Sequence, residues 1–262
     1  MTSFLELHRP GDPLLVPNPW DVGSARILES LGFAALATTS SGFAASVGRS
    51  DGSVTRDEAL GHAAAVAAAV RVPVTADLEN GFADDPADVA ATVRLAAAAG
   101  LAGCSIEDAT GRDDDPVYPL ELAAERVAAA VDASGDLVIT ARAENHLHGR
   151  DDLRDTIRRL QRFQDAGAHV LYAPGLTRAQ DIREVVRSVD RPVNVLALPG
   201  APAVAELAAL GVARVSIGGS FAWVAYGALV GAAREFRESG TYGFLAAAGA
   251  HRAAIGQALE RR

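Results

Sequence analysis

Eight short apolar runs of strand type, separated by stretches of helical periodicity, constrain what this 262-residue chain can fold into. The runs are 14–17, 34–38, 72–77, 102–107, 137–142, 169–173, 193–197 and 214–217. Helical spacing of apolar residues fills 57–69, 85–99, 120–133, 153–166, 179–189 and 201–210. Strands that alternate with helices make right-handed βαβ units and a parallel sheet. Eight such units close into a (β/α)8 TIM barrel, an α/β fold of about 250 residues. The competing solution is an open doubly wound sheet, but no G-x-G-x-x-G follows the first strand.

The punctuation supports the same division. Leu31-Gly32, Ala99-Gly100, Ala166-Gly167 and Leu210-Gly211 each stand just before a strand, where glycine supplies the left-handed residue that ends a helix. Pro73 and Pro192 open strands, where a missing N–H is tolerated. With no linker or low-complexity tail in sight, residues 1–262 are expected to form a single barrel domain. The alanine-rich segments 221–237 and 242–259 predict two helices beyond what a barrel needs. They either cover their own barrel or dock onto, and exchange with, a neighbouring subunit.

Charge narrows the partners. The formal net charge is −9 and the pI about 5.1, with no basic stripe, so nucleic acid is not an expected partner. The arginines are scattered beside acids and are read as solvated faces. Any site for an anion must then be made locally positive by metal, arginine or backbone N–H groups. Cys104 is the one cysteine, so no intrachain disulfide can form. Residues 1–13 lack the apolar core of a signal peptide and no segment reads as a membrane span, so a cytoplasmic enzyme without a membrane partner is expected.

Barrel chemistry sits at the C-terminal ends of strands. Read in order, those ends carry Asn18, Trp20 and Asp21; Thr38 to Gly42; Asp77 and Glu79; Glu107 and Asp108; Arg142 and Glu144; Tyr172; Asn194; and Ser216 with Gly218-Gly219-Ser220. Asp77, Glu79 and Glu107 are hard oxygen donors on adjacent strands, a set that suits Mg2+, with Mn2+ as a substitute. Acids facing one space repel unless a cation neutralises them. Arg142 ends an apolar strand, and its fork matches either a substrate carboxylate or enolate, or a structural pair with Glu144 or Glu107. The small residues Thr39, Ser40, Ser41 and Gly42 offer N–H groups and hydroxyls to a carboxylate, or form a plain βα loop. Asp51 before Gly52 reads as a turn residue. Cys104 reads as a buried small hydrophobe, His146 and His148 as surface loop, and Asp113 to Asp115 as a solvated lid tip.

Four stretches carry a resemblance: Asn18-Pro19-Trp20-Asp21-Val22-Gly23-Ser24-Ala25, Thr75-Ala76-Asp77-Leu78-Glu79-Asn80-Gly81-Phe82, Ser105-Ile106-Glu107-Asp108 and Ala141-Arg142-Ala143-Glu144. Together they resemble the isocitrate lyase/phosphoenolpyruvate mutase superfamily. The resemblance implies a Mg2+-dependent barrel acting on small anionic 2-oxo acids, and a homo-oligomer (tetramer or dimer) with an exchanged C-terminal helix. It implies Asp77 as the direct metal ligand, with Glu79 and Glu107 acting largely through waters of the metal's shell. Trp20, Ser40, Ser41, Gly42 and Asn194 would bind substrate, Arg142 would bind it and stabilise an enolate, and Asp51 and Glu107 would serve the chemistry.

The sequence also departs from that pattern. The superfamily's lyases carry a lysine–arginine–cysteine–glycine–histidine motif after strand four, whereas residues 109–116 here contain neither cysteine nor histidine. Its phosphonate mutases carry a lysine just after the Glu-Asp pair, where this chain has Ala109. Glu79 stands where aspartate is usual. The expected activity is cleavage of a C–C bond next to a 2-oxo acid, on an oxaloacetate- or substituted-malate-like substrate, through a pyruvate-type enolate, with residues 109–119 closing the site. A P–C bond enzyme (phosphonopyruvate hydrolase or mutase) and a non-catalytic 2-oxo-acid binder are the alternatives.

Overall fold

The computed structural model describes residues 3–260. Eight parallel strands form one sheet: β1 (Leu14–Val16), β2 (Leu36–Ala37), β3 (Val74–Asp77), β4 (Gly103–Glu107), β5 (Val138–Arg142), β6 (Val170–Tyr172), β7 (Val193–Leu196) and β8 (Arg214–Ser216). Their order is β1-β8-β7-β6-β5-β4-β3-β2, and every neighbouring pair is parallel. The seam between β1 and β2 is closed at the mouth by Ala37 N–H on the Pro17 carbonyl (3.1 Å) and by Asn18, whose Nδ2 donates to the Thr38 carbonyl (3.0 Å). The expected (β/α)8 barrel is therefore the fold.

Helices follow the strands: α1 (Val22–Ser30), α2 (Ser40–Ser46), α3 (Arg56–Ala69), α4 (Pro86–Ala98), α5 (Leu120–Asp132), α6 (Leu153–Asp165), α7 (Ala179–Ser188), α8 (Val204–Ala209), α9 (Ser220–Arg234), α10 (Phe244–Ala250) and α11 (Arg252–Glu260). Capping fixes several starts. Asp21 and Ser24 form a capping box on α1, and Thr55 and Glu58 form one on α3, each cap contributing about 1 kcal/mol. The expected small-residue loop after β2 is instead the first turn of α2: Thr39 caps it by accepting from Gly42 N–H, and Phe43 stacks on His62 of α3 at 3.9 Å.

Period-two alternation sorts the strand residues. Outward-facing Ile106, Ile139, Leu171 and Val195 pack under the helices. The barrel floor is apolar, made of Phe4, Leu14, Val16, Ala35, Val138 and Val170. Phe4 enters from a 3-10 turn (Leu5–Leu7) and reaches Gly103, where an added Cβ would come within 2.5 Å of the Val138 carbonyl oxygen. Only glycine allows that approach of β4 to β5. Above the floor the interior turns polar, with Thr75, Thr140, Asn194 and Arg214, and above that layer come the charged strand ends.

The predicted C-terminal helices are present. The second is broken at His251 into α10 and α11. α11 lies against α1 of its own barrel, where Arg26 donates to the Leu259 carbonyl (3.3 Å). α9 leaves Trp223, Val224, Leu229 and Val230 exposed, followed by Phe236 in a π-helical turn. Among the described residues, no helix is long and apolar enough to cross a membrane.

Candidate active site

The ladder aligns the strand ends. Asp77 registers with Ser105, Glu107 with Arg142, and Arg142 with Tyr172, so these side chains stand side by side at the mouth. Arg142 is the hub. Its Nη1 lies 3.1 Å from Asp77 Oδ1, its Nη2 3.2 Å from Glu107 Oε2, and its Nε 2.7 Å from Glu144 Oε1. The Tyr172 ring lies beneath the guanidinium at 5.1 Å. All four charged side chains are largely buried.

The acids crowd one another. Burial, together with Asp77 and Asp51, raises the Glu79 carboxyl to about 7. Burial also holds Glu107 well above the usual carboxylate range; Arg142 opposes this, while Glu144, Asp77 and Glu79 add repulsion. Burial alone would weaken the Arg142 cation, but Glu107, Glu144 and Asp77 outweigh it and hold the guanidinium firmly charged. Burial likewise lifts Asp108 to about 6 against the opposing pull of the Glu144 N–H and Arg159.

Among the described residues, no three His, Cys, Asp or Glu side chains already form a complete metal-ligand set. Mg2+ does not require one, since it takes one or two carboxylates directly and keeps several waters. Glu79 and Glu107 are short of positive charge, and Glu79 is held by a backbone with φ of 49°, a left-handed conformation that costs a non-glycine residue free energy. Such a donor set fits a hard divalent cation.

A mouth cavity of about 850 Å3 is lined by Ser40, Asp51, Glu79, Glu107, Arg142 and Glu144, among others. Asp77 lies just beneath it, lining a smaller chamber that Arg142 shares. Asp51 accepts from the Gly52 N–H, as a turn residue does, and its charge adds to the field on Glu79. Ser40 directs its N–H to Asp77 Oδ2 (3.2 Å) rather than into open space.

The remaining expected substrate contacts are placed differently. Ser41 pairs with the Thr39 hydroxyl (3.2 Å), and the Gly42 N–H is taken by the Thr39 cap. An added Cβ on Gly42 would sit 3.0 Å from Trp20 Cβ, so this glycine is a spacer between α2 and Trp20. Trp20 serves through its carbonyl, which meets His62 Nε2 at 3.0 Å. Trp20, Ser41 and Gly42 do not line the mouth cavity. Asn194 is two residues too deep: it is buried, and bonds Ser216 and Arg214, while Leu196 takes the strand end.

Glu144, expected as one of two structural partners for Arg142, is the tightest of its contacts. Other contributors escaped sequence reasoning. Buried Arg126 donates to the carbonyls of Asn80, Ala83 (2.8 Å) and Glu107 (3.1 Å), tying the Glu79 loop to β4. Arg159 pairs with Asp108 Oδ2 (3.0 Å), whose other oxygen accepts the Glu144 N–H (2.7 Å). The reading of the arginines as solvated faces fails for Arg126, Arg159 and Arg214, all buried.

The loops refine the picture. Residues 109–117 form a pinned hairpin, with Thr110 N–H on the Pro116 carbonyl (2.9 Å) and Asp113 to Asp115 exposed, as expected of a tip. His146 is largely buried, 3.4 Å from Asp151, whereas His148 is exposed at the mouth. Gly218-Gly219-Ser220 is a tight exit, with Ser220 N–H on the Ile217 carbonyl (3.2 Å). Cys104 is buried, its thiol pushed up to about 12.

Comparison with known proteins gives a consistent result. The family described as Phosphoenolpyruvate phosphomutase matches residues 4–237. The crystal structure of a candidate lyase/mutase from Burkholderia cenocepacia J2315 superposes with a TM-score of 0.94 and 53% identity, covering 99% of this chain and 95% of that one. The 2-methylisocitrate lyase of Escherichia coli K12 is 28% identical over 207 residues, 72% of this chain and 70% of the relative. A phosphonopyruvate hydrolase crystallised with oxalate and Mg2+ has a TM-score of 0.83 and 25% identity, covering 95% of this chain and 90% of that one.

Proposed function

This chain belongs to the phosphoenolpyruvate phosphomutase family, within the isocitrate lyase/phosphoenolpyruvate mutase superfamily, and we propose that it is a Mg2+-dependent lyase that cleaves a C–C bond next to a 2-oxo acid. The observation that carries this reading is the convergence of Asp77, Glu107 and Glu144 on one guanidinium, with Glu79 alongside. Four acids and one arginine leave an excess of negative charge that a divalent cation balances.

Asp77 would hold the cation directly, with Glu79 and Glu107 supporting it. When bound, the cation supplies Lewis-acid polarisation of the substrate's 2-oxo and carboxylate oxygens. Arg142 then exchanges its contacts with Asp77 and Glu107 for the substrate, while Glu144 keeps Nε and fixes the plane of the fork. As the bond breaks, the electron pair left on the substrate forms a pyruvate-type enolate, and Arg142 faces the developing charge. A preorganised contact of this kind supplies about 3–4 kcal/mol. The 109–119 hairpin, which follows Glu107 and Asp108 and lines the mouth through Ala109, Thr110 and Gly111, would shield the bound substrate from water.

Neither cysteine nor histidine stands on that hairpin, so a proton donor of the lyase-motif type is missing. This favours oxaloacetate-like acids, whose C3–C4 cleavage releases CO2 and leaves the electron pair as the pyruvate enolate for solvent to protonate, over substituted malates, whose cleavage leaves the pair on the departing carboxylate and calls for a proton donor at that carbon. The exposed apolar face of α9 fits a subunit contact, and we read the protein as a homo-oligomer. The test is a panel of oxaloacetate, substituted malates and phosphonopyruvate with Mg2+, following pyruvate. Phosphate release from phosphonopyruvate would replace the C–C reading with P–C chemistry, and oxalate binding without turnover of any acid would replace it with a binder.

A further inference from the structure

Beneath the acid cluster the barrel encloses a second space of about 50 Å3, lined by Arg142 above, Arg214 below, and the hydroxyls of Tyr172, Ser216, Thr75 and Ser105. A bound water needs roughly 10–15 Å3 of such space, so the chamber has room for a small ion. Arg214 is 5% exposed, and among the described residues no carboxylate pairs with it. Its Nε donates to Asn194 Oδ1 (3.0 Å) and its Nη1 meets Thr140 Oγ1 (3.2 Å) and His8 Nε2 (3.4 Å). All three partners are neutral. His8 adds no charge, because burial and Arg214 push it down to about 3. A buried cation without a counter-charge is costly, and the mechanism above gives Arg214 no task.

The hydrogen bonds around the chamber run in one direction. Because Arg214 Nε must face an acceptor, the Asn194 amide is fixed with its oxygen on Arg214 and its Nδ2 donating to Ser216 Oγ (3.0 Å). Ser216 Oγ therefore accepts there and keeps its own proton for another acceptor, and Tyr172 lines the same chamber. Tyr172, pushed up to about 12 chiefly by burial, keeps its own proton and so enters the chamber wall as a donor. Asp77 is the one acid on the chamber wall, and its oxygens are already engaged by Arg142, Ser105 (3.4 Å) and the Ser40 N–H.

We infer that this chamber is a binding site for a small inorganic anion of halide size, held between Arg214 and the Tyr172 hydroxyl. The site counter-charges Arg214 inside the barrel and lies directly beneath the acid cluster, sharing Asp77 and Arg142 as its upper wall. It does not depend on the proposed reaction.

Bromide is the probe. Crystals of the metal-free, substrate-free protein soaked in sodium bromide should show an anomalous peak in the chamber beside Arg214 and Tyr172. In solution, chloride and bromide should raise the melting temperature in a saturable way, while gluconate at matched ionic strength, too large for the chamber, should not. Tyr172→Phe removes one donor without changing shape and should shift the halide midpoint about tenfold upward, the loss expected for one hydrogen bond to a charged group. Arg214→Met should abolish the halide response; if that variant does not fold, the Tyr172→Phe midpoint decides. Bromide only on the surface (an adventitious ion only), water alone in the chamber, or an unchanged midpoint in Tyr172→Phe would each overturn the inference, and each is read without divalent cation, substrate or turnover.

Discussion

The Nε of Arg142 lies 2.7 Å from Glu144 Oε1, and this short contact sets the plane in which the rest of the guanidinium meets Asp77 and Glu107. Glu144 is itself held by the Asp108 carboxylate, which accepts its N–H at 2.7 Å. The cation at the centre of the site is therefore aimed by one acid before it serves the others.

Arg142→Lys should test that aim. A lysine keeps the charge but loses the fork, so kcat should fall by about two to three orders of magnitude with a smaller change in KM. Steady-state kinetics on whichever acid of the panel turns over checks this; an unchanged kcat would make Arg142 a structural ion pair.

The reach of Arg126 predicts an effect at a distance. Arg126→Met strips three carbonyls of their donor and should lower unfolding free energy by about 2–4 kcal/mol, seen as a drop in the denaturation midpoint. Because one of those carbonyls belongs to the residue after Glu79, Mg2+ affinity should weaken as well, measured by calorimetry under conditions where the variant is fully folded.

His8 predicts a pH dependence of stability. Its folded value, about 3, lies below the ordinary 6.5, so between those limits the unfolded chain binds a proton that the folded chain refuses. Stability therefore falls as the pH drops through that window, with a slope of up to about 1.4 kcal/mol per pH unit from this group. His8→Gln, which retains an acceptor for Arg214, should flatten the difference between urea midpoints at pH 7 and pH 5.

The barrel was legible in the sequence because outward-facing strand residues must be apolar to pack under helices, and those runs recur at even spacing. The ends were less so: β2 reduces to Leu36–Ala37 because only those residues pair with β3. The helix α2 was hidden because Ser-Ser-Gly has no apolar period; a cap and a Phe43–His62 stack make it. Asp77, Glu107 and Arg142 were visible because each is the charged last residue of an otherwise largely apolar strand. Arg126 looked like any charge on an exposed helix face, and nothing local to its sequence reveals the three carbonyls it meets. Arg214 was hidden at a strand start, although counting back by two from Ser216 places it inward.

The central claim is that Asp77 anchors one hard cation in this cluster, and isothermal titration of Mg2+ into wild type and Asp77→Asn tests it most directly. The account predicts one Mg2+ per wild-type chain and no measurable binding to the folded variant. Equal Mg2+ affinity in the two proteins would contradict it.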